Sequence, residues 1–519
     1  MSKALDRLMA VGSMADSMGV YVPAKVIQKL LGLGRLLVFM YLVAGKTQFA
    51  LWTLGVAIFS VAAPLLTLGS PNALARYAAL YEQRGELRRF CRNALLIVLG
   101  CTAVTAAIAF AASDLITLYV MLSGKTAGPD VSFELQRTVC YVALGNAVML
   151  TLYLNLTAIL YGLRTYRLVA AVELLFAVLF TAAGTTVLLV WPTGLAVLAA
   201  HMVCLAAATL AGAAGLWLGL DKIADSQEQT QGRPAEAGRS AGSPERATTA
   251  NMLGRLLRFG LVALAANTLW GMASYASLWL TNRHLSKSDA GVFAAMLLIG
   301  QPVLFLADAA WAVVFSHVAR RWESHDRSGA MFALEAAYKA VTLSLMTLAV
   351  GMYVTAPLWI RVLPAGYRSG LPLLGGLLLY FQTVIHLALL TIVAKLHERP
   401  WVIAVAAAAA IGGNLSLGLT WVPTWGMEGA SWAAGVGCLG GSLAVSAIYL
   451  LGSRARLTAG SWIVLAVPAL LLLPAWAAAA AWAGLLAAAL TTRLVLTPRE
   501  KTLLAGKIAA GWRRVRSWR

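Results

Sequence analysis

The residues best suited to bind a charged ligand lie on one face of the first apolar segment, "KVIQKLLGLGRLLVFMYLVAG". At about 100° per residue, Lys25, Gln28, Lys29, Gly32 and Arg35 fall within an arc of about 120° on an α-helix. The other positions are almost all Leu, Val, Ile, Met or Phe. Arg and Lys are the side chains that bind phosphate best. This face therefore predicts a site for an anionic group, with Lys25, Gln28, Lys29 and Arg35 as candidate contacts.

Arg35 is the cation whose position most needs an explanation. If the segment enters a membrane near Val22, Arg35 lies about 20 Å inside at 1.5 Å per residue, past the middle of a ~30 Å hydrocarbon core. A cation there costs roughly 2.5–3.5 kcal/mol on insertion scales. Two interpretations stay open. Arg35 and Lys29 face a water-filled cavity, or the lysines extend to the headgroups while Arg35 pairs with a structural carboxylate.

Other ionisable residues also lie within apolar segments. Glu173 and Asp308 are candidates for a proton or ion site that drives coupling, for counter-ions of the first segment, or for purely structural pairing. His201 and His386 stand alone in their segments and are interpreted as hydrogen-bonded packing residues.

Membrane-spanning helices must position these side chains. The chain has 519 residues, of which 60% are hydrophobic and 12% charged, against about 25% charged in soluble domains. Apolar runs recur along its whole length, which is typical of a polytopic membrane protein. We predict an all-α membrane protein of about 14 transmembrane helices. The predicted spans are 22–44, 47–69, 93–116, 138–160, 168–191, 194–220, 256–281, 289–315, 337–360, 370–394, 401–421, 428–450, 461–475 and 478–497.

The net charge of +20 is explained by orientation in a membrane and does not indicate a nucleic-acid partner. Most Lys and Arg residues fall in loops on one side of the predicted spans, as the positive-inside rule requires of cytoplasmic loops. The last two spans are predicted to form a hairpin that turns near Pro474 and Ala475. Both termini are then cytoplasmic, and the basic tail meets anionic membrane lipids.

Neither a metal site nor a nucleotide site is predicted. The five cysteines are scattered and form no CxxC or metal-spaced pair, so they indicate no zinc site or disulfide framework. The tripeptide GKT occurs twice, but neither copy has the glycine that a P-loop needs five positions earlier. We therefore expect no cofactor.

Composition divides the chain into segments. A stretch rich in Ala, Gly, Ser, Gln and Pro interrupts the apolar pattern and is predicted to be a disordered cytoplasmic linker. The predicted segments are a cytoplasmic N-terminal segment 1–21, a first six-helix lobe 22–220, the linker 221–255, a second six-helix lobe 256–450, an extra transmembrane hairpin 461–497 and a basic cytoplasmic tail 498–519.

The two lobes are related by a weak internal repeat. A shift of 244 positions places "FALWTL" on "FAAMLL" and "LAR" on "VAR" at the same helix-to-loop boundary. Repeats six spans apart keep the same orientation, as in transporters whose site lies between two lobes. Arg76 and its counterpart Arg320 are candidate residues of an inner gate, and topology or headgroup contact is the alternative.

Four motifs resemble those of a known family. They are "QKLLGLGR", "PLLTLGSPNALARYAALYEQRGEL", "KSDAGVFAAM" and "GNLSLGLTWVPTWGMEGASWAAGVG". In order and span position they are similar to the Wzx-like oligosaccharide-lipid flippases, the polysaccharide branch of the multidrug/oligosaccharidyl-lipid/polysaccharide (MOP) exporter superfamily.

The resemblance implies a V-shaped pair of lobes, alternating access and a cargo of undecaprenyl-pyrophosphate-linked oligosaccharide in the bacterial inner membrane. It also implies that Lys29 and Arg35 meet the pyrophosphate, and that polysaccharide polymerase and chain-length proteins are partners. One departure concerns the seventh span, where many relatives carry an Asp. The stretch "WGMASYASLWLTNRHL" offers only Ser274, Tyr275 and Ser277 there.

Two other functions stay open. A cation-coupled small-molecule exporter (MATE-like) of the same superfamily is disfavoured by the cationic first span and the extra span pair. A membrane glycan polymerase or ligase would need catalytic residues in an outer loop. The longest such loop offers only Asp130 and Glu134 as carboxylates and no His.

Overall fold

The computed structural model of the chain is helical in every part that it describes and contains no β-strand there. This confirms the predicted all-α class. The described residues are 14–71, 86–121, 131–163, 165–230, 249–304, 325–359, 361–397, 401–453 and 457–503, with isolated positions between these ranges.

Fourteen α-helices of at least eight residues occur in the described part, and the fourteen predicted spans overlap them in order. They are α1 (Met14–Leu42), α2 (Gly45–Thr67), α3 (Leu87–Ala111), α4 (Phe133–Gly162), α5 (Tyr166–Val190), α6 (Gly194–Thr230), α7 (Thr249–His284), α8 (Lys287–Gly300), α9 (Arg327–Val354), α10 (Leu374–Leu396), α11 (Trp401–Trp432), α12 (Cys438–Gly452), α13 (Ala459–Ala466) and α14 (Ala475–Thr491).

Eight helical stretches of the described part are long and apolar enough to cross a membrane, and two shorter apolar stretches follow them. One of the eight, Trp401–Gly452, is 52 residues long and is interrupted at Gly426, whose φ is 61° and ψ −139°. Glycine suits this position because other residues rarely adopt a positive φ. The stretch therefore comprises two spans that meet at Gly426.

Helix extends into both ends of the predicted linker 221–255. Helix α6 continues to Thr230 and α7 begins at Thr249, while residues 231–248 lie outside the described part. The sequence "DKIADSQEQT" after the apolar run of α6 has neither Gly nor Pro. Adding residues to an existing helix avoids the cost of nucleation, so α6 extends beyond its apolar part.

The chain divides into two compact units, Met1–Gly271 and Met272–Arg519. In the first unit α1 lies against α5, α2 lies against α4, and α6 packs on both α4 and α5. Gly194, at the start of α6, is pressed against α2. A Cβ atom at this position would lie 2.2 Å from the backbone oxygen of Gln48, so only glycine allows α6 to begin here.

In the second unit the end of the chain forms the expected hairpin. Helix α13 continues as a 3₁₀ helix, Val467–Leu472, and the backbone is extended at Leu473 and Pro474 before α14 begins. After α14 the chain returns to the start of α13, where a Cβ on Gly460 would lie 2.1 Å from the backbone oxygen of Val495. Both α13 and α14 pack on α9.

Candidate functional site

The candidate site is built on the two contrasting faces of α1. Its apolar face carries exposed side chains, among them Ile27 (50% exposed) and Leu30 (63% exposed). The opposite face carries Lys25, Gln28, Lys29 and Arg35, which are all partly buried on a helix that packs against α5. The basic residues of α1 therefore face the interior of the first unit.

Lys25 is neutralised by a carboxylate on α5. Its Nζ donates to Glu173 Oε1 at 2.7 Å, and the Tyr161 hydroxyl donates to the same oxygen at 3.0 Å. The Tyr161 hydroxyl also lies 2.6 Å from that of Tyr21. Glu173 is thus a counter-ion of the first span in this structure, which was one of the roles expected for it.

Arg35 has no such partner. Its guanidinium lies over the ring of Phe180 on α5, 4.3 Å from the ring centre. Within the described part of the chain, no carboxylate lies within 4.0 Å of Arg35 and no hydrogen bond joins it to another residue. A cation–π contact offsets only about 0.5–2 kcal/mol, so the described residues leave the charge of Arg35 largely uncompensated.

The surroundings of Arg35 are completed by His201 on α6 and Asn146 on α4. His201 Nδ1 lies 2.7 Å from Asn146 Oδ1, and the Nδ2 of that asparagine donates to the backbone oxygens of Val142 and Leu198. The imidazole meets Phe180 edge-on, with 4.8 Å between ring centres. The ring of Phe180 therefore contacts both the guanidinium of Arg35 and the imidazole of His201.

Arg35 and His201 lie at the same depth in the unit. The turns α1–α2 and α5–α6 are joined by a hydrogen bond from Ala44 N to Pro192 O at 2.8 Å. Arg35 is seven residues before the end of α1, and His201 is seven residues after the start of α6. Each is therefore about 10 Å from that end of the unit, and Lys25 lies about 15 Å deeper along α1.

The remaining predicted contacts lie between these two places. Lys29 is partly buried. Gln28 is also partly buried, and its Oε1 atom is enclosed without a hydrogen-bond partner among the described residues. The candidate ion-site residue Asp308 and the candidate gate residues Arg76 and Arg320 lie outside the described part.

The seventh span contributes a hydroxyl group to a buried hydrogen bond with α11. Ser277 on α7 donates to Asn414 Oδ1 on α11 at 2.9 Å, and both residues are buried. Among the described residues no group of three His, Cys, Asp or Glu side chains could hold a metal ion.

Three residues of the site were not predicted from the sequence, namely Asn146, Tyr161 and Phe180. Phe180 carries no signal, because a phenylalanine in an apolar span is ordinary. Asn146 does carry one, since an amide within a predicted span needs hydrogen-bond partners. Tyr161, at the end of its span, has the appearance of an interfacial tyrosine.

No family model and no curated protein matches the chain. Among solved structures it is similar to the lipid II flippase MurJ in an inward closed conformation, with a TM-score of 0.60, 11% identity and coverage of 87% of this chain and 91% of that one. It is also similar to a multidrug resistance MATE family transporter of the MOP superfamily. The inward-facing form gives a TM-score of 0.57 with 14% identity over 84% and 99% of the two chains. The outward-facing form gives a TM-score of 0.56 with 14% identity over 88% and 98% of the two chains.

These identities are low, so the similarity is one of fold. The chain therefore has the fold of MOP superfamily transporters and is a multi-pass membrane protein. The structures named here are those of a flippase and a transporter.

Proposed function

We propose that this protein is a flippase that moves an undecaprenyl-pyrophosphate-linked oligosaccharide from the cytoplasmic to the outer leaflet of the bacterial inner membrane. It acts by alternating access and serves the synthesis of cell-surface polysaccharide. Both termini are cytoplasmic, the basic tail meets anionic lipids, and polymerase and chain-length proteins receive the product. Arg35 and Lys29 bind the pyrophosphate in this proposal.

The observation that carries the proposal is the uncompensated charge of Arg35 in a membrane-spanning helix. Lys25, ten residues earlier, is paired with Glu173 at 2.7 Å. Leaving a buried cation without a partner costs several kcal/mol, and retaining one is explained when a ligand supplies the opposite charge. A pyrophosphate provides two negative charges and the oxygen geometry that guanidinium groups bind in pairs of hydrogen bonds.

The fold supports the same class of substrate. The solved structure with a TM-score of 0.60 is named as a lipid II flippase. The four sequence motifs independently resemble the polysaccharide branch of this superfamily. A lipid-linked substrate agrees with both lines of support.

A MATE-like exporter is the second candidate, because two forms of a MATE transporter give TM-scores of 0.57 and 0.56. Organic cations would need an anionic or neutral site. In the first unit the carboxylate of Glu173 already binds Lys25, and Arg35, which has no counter-ion among the described residues, is a cation. The charge of the site therefore favours the anionic lipid.

The test is flipping of a fluorescent undecaprenyl-pyrophosphoryl oligosaccharide in proteoliposomes. We expect protein-dependent flipping that falls at least tenfold in Arg35→Met and less in Arg35→Lys and Lys29→Ala. Arg137→Met is the matched control, because Arg137 is 36% exposed and is paired with Asp114 at 2.8 Å. Flipping by Arg35→Met at the wild-type rate would overturn the site. Export of organic cations without any flipping of the lipid would overturn the function.

Thermal unfolding in detergent shows whether a loss of flipping reflects a loss of folding. Arg35→Met keeps much of the side-chain volume and removes a charge that has no counter-ion. We expect its midpoint temperature to equal or exceed that of the wild type in the absence of ligand. A large decrease would mean that Arg35 stabilises the fold through a partner and is not a ligand-binding residue.

A further inference from the structure

His201 lies beside Arg35 but has no role in the function proposed so far. Its imidazole is enclosed by Phe59, Phe176 and Phe180, with 4.8–5.3 Å between ring centres. The residue as a whole is partly buried.

The hydrogen bonds around His201 define which ring nitrogen carries the hydrogen. Asn146 Nδ2 donates to the backbone oxygens of Val142 at 2.9 Å and Leu198 at 3.0 Å, which fixes the orientation of the amide. Asn146 Oδ1 is therefore an acceptor, and His201 Nδ1 donates to it at 2.7 Å. Among the described residues no group bonds to Nε2, which holds the free lone pair of the neutral ring.

Nε2 is also the atom through which a bound anion would act on the ring. Arg35 lies 4.3 Å and His201 lies 4.8 Å from the centre of the same Phe180 ring. Their separation is at most the sum of these distances, about 9 Å, within which charges in a low-dielectric site interact strongly. In the empty site the charge of Arg35 opposes a second positive charge on His201. An anion beside Arg35 reverses that effect.

Few other charged groups face this imidazole. From α1 it faces Arg35, and Cys204 follows one turn later on its own helix. The described parts of α2, α4 and α5 present uncharged groups to it. Glu173 is two turns away from Phe180 along α5 and is paired with Lys25. No carboxylate of the described part is therefore placed to charge His201 before the ligand arrives.

We propose that His201 is a second anion contact of this site and that its Nε2 takes up a proton from water when a pyrophosphate diester binds at Arg35. This inference rests on the proposed function and adds to it the uptake of one proton when the ligand binds. The proton forms an N–H bond at Nε2 without breaking another bond in the protein, and the imidazolium then donates that N–H to a phosphate oxygen. Binding and protonation favour each other, as linkage requires.

The test uses farnesyl-pyrophosphoryl-N-acetylglucosamine, a short-chain pyrophosphate diester. Both of its phosphates stay ionised between about pH 6 and 8.5, because a diester lacks the ionisation that monoesters have near pH 6. Titration calorimetry in buffers of different ionisation enthalpy then counts protons taken up by the protein alone. We expect an uptake approaching one proton per ligand near pH 7.5. The dissociation constant should fall by up to tenfold per unit decrease in pH.

His201→Gln should still donate to Asn146 but cannot take up a proton. We expect proton uptake to vanish and the affinity to weaken severalfold and lose its pH dependence. His386→Gln is the matched control, since His386 also bonds through Nδ1, to Tyr338 at 2.5 Å, but is 1% exposed in the second unit. It should leave proton uptake unchanged.

Four results would contradict the inference or its basis. Wild-type binding without proton uptake overturns the role of His201 whatever the variants do, and so does full uptake in a folded His201→Gln protein. Either of these two results leaves the proposed function intact. Absence of binding by the wild type overturns the proposed function itself. UDP-N-acetylglucosamine, a diester without a prenyl chain, serves as a second ligand, and equal binding of it would overturn the lipid-linked substrate.

Discussion

Lys25 and Arg35 lie ten residues apart on α1 and have opposite surroundings. Lys25 donates to a carboxylate that also accepts from Tyr161, whereas Arg35 rests on an aromatic ring. Desolvation penalises both cations, and only the first recovers that penalty inside the protein. Basic residues on one helix face therefore differ with depth: Lys25 forms an ion pair within the protein, and Arg35 binds the ligand in the proposed function.

The ion pair of Lys25 and Glu173 can be tested by a double-mutant cycle. We expect Glu173→Gln to lower the free energy of unfolding by about 2 kcal/mol, because it leaves Lys25 partly buried without a counter-ion. The double variant Lys25→Met with Glu173→Gln should recover most of this loss. Unfolding in detergent is measured for Glu173→Gln, for Lys25→Met and for the double variant.

The same cycle separates the counter-ion role of Glu173 from a coupling role. A counter-ion is dispensable once its partner is removed, so the double variant should retain flipping. Retained stability with abolished flipping would instead indicate that Glu173 carries a coupling proton or ion.

At the scale of elements, the C-terminal hairpin is held by a buried polar network on α9. Lys339 Nζ donates to both oxygens of Glu500, at 2.9 and 3.1 Å, and to Thr458 Oγ1 at 2.8 Å. Glu335, one turn earlier, accepts from Thr458 N and from the hydroxyls of Thr458 and Ser461. Thr458, just before α13, and Glu500, after α14, are thereby both bound to the same two turns of α9.

Breaking this network should release the hairpin. We expect Lys339→Met to lower the free energy of unfolding by about 3 kcal/mol, because Glu500 stays buried without its cation. Trypsin should then cleave after Arg493 and Lys501 faster than in the wild type. Lys395→Met, at an exposed lysine of α10, is the control and should change neither measurement. An unchanged cleavage rate in folded Lys339→Met would show that apolar packing alone holds the hairpin.

At the scale of the whole molecule, the number of spans determines the location of the termini. Fourteen is an even number, so the predicted spans place both termini on one side of the membrane, and the positive-inside rule predicts that this side is the cytoplasm. We expect green fluorescent protein fused after Arg519 to fluoresce. Alkaline phosphatase fused after Arg361, in a predicted outer loop, should be active. The reverse pattern would contradict the predicted orientation.

The sequence by itself determines the helical class, the number of spans and the cationic face of α1. These features depend on local hydrophobic periodicity, which every residue of a span contributes to. The hairpin near Pro474 is predictable from the distribution of charge, because a single long helix would place the basic tail on the outer side, against the positive-inside rule.

The tertiary structure decides which charges are neutralised. Lys25 and Glu173 are 148 positions apart. The spacing of residues within α1 and α5 does not show whether Glu173 is the counter-ion of Lys25 or of Arg35. Likewise, the Phe180 ring and the Asn146 amide that orients His201 become recognisable only once α1, α4, α5 and α6 pack together. Pair interactions depend on distances between helices, and a linear sequence does not specify them until those helices are assembled.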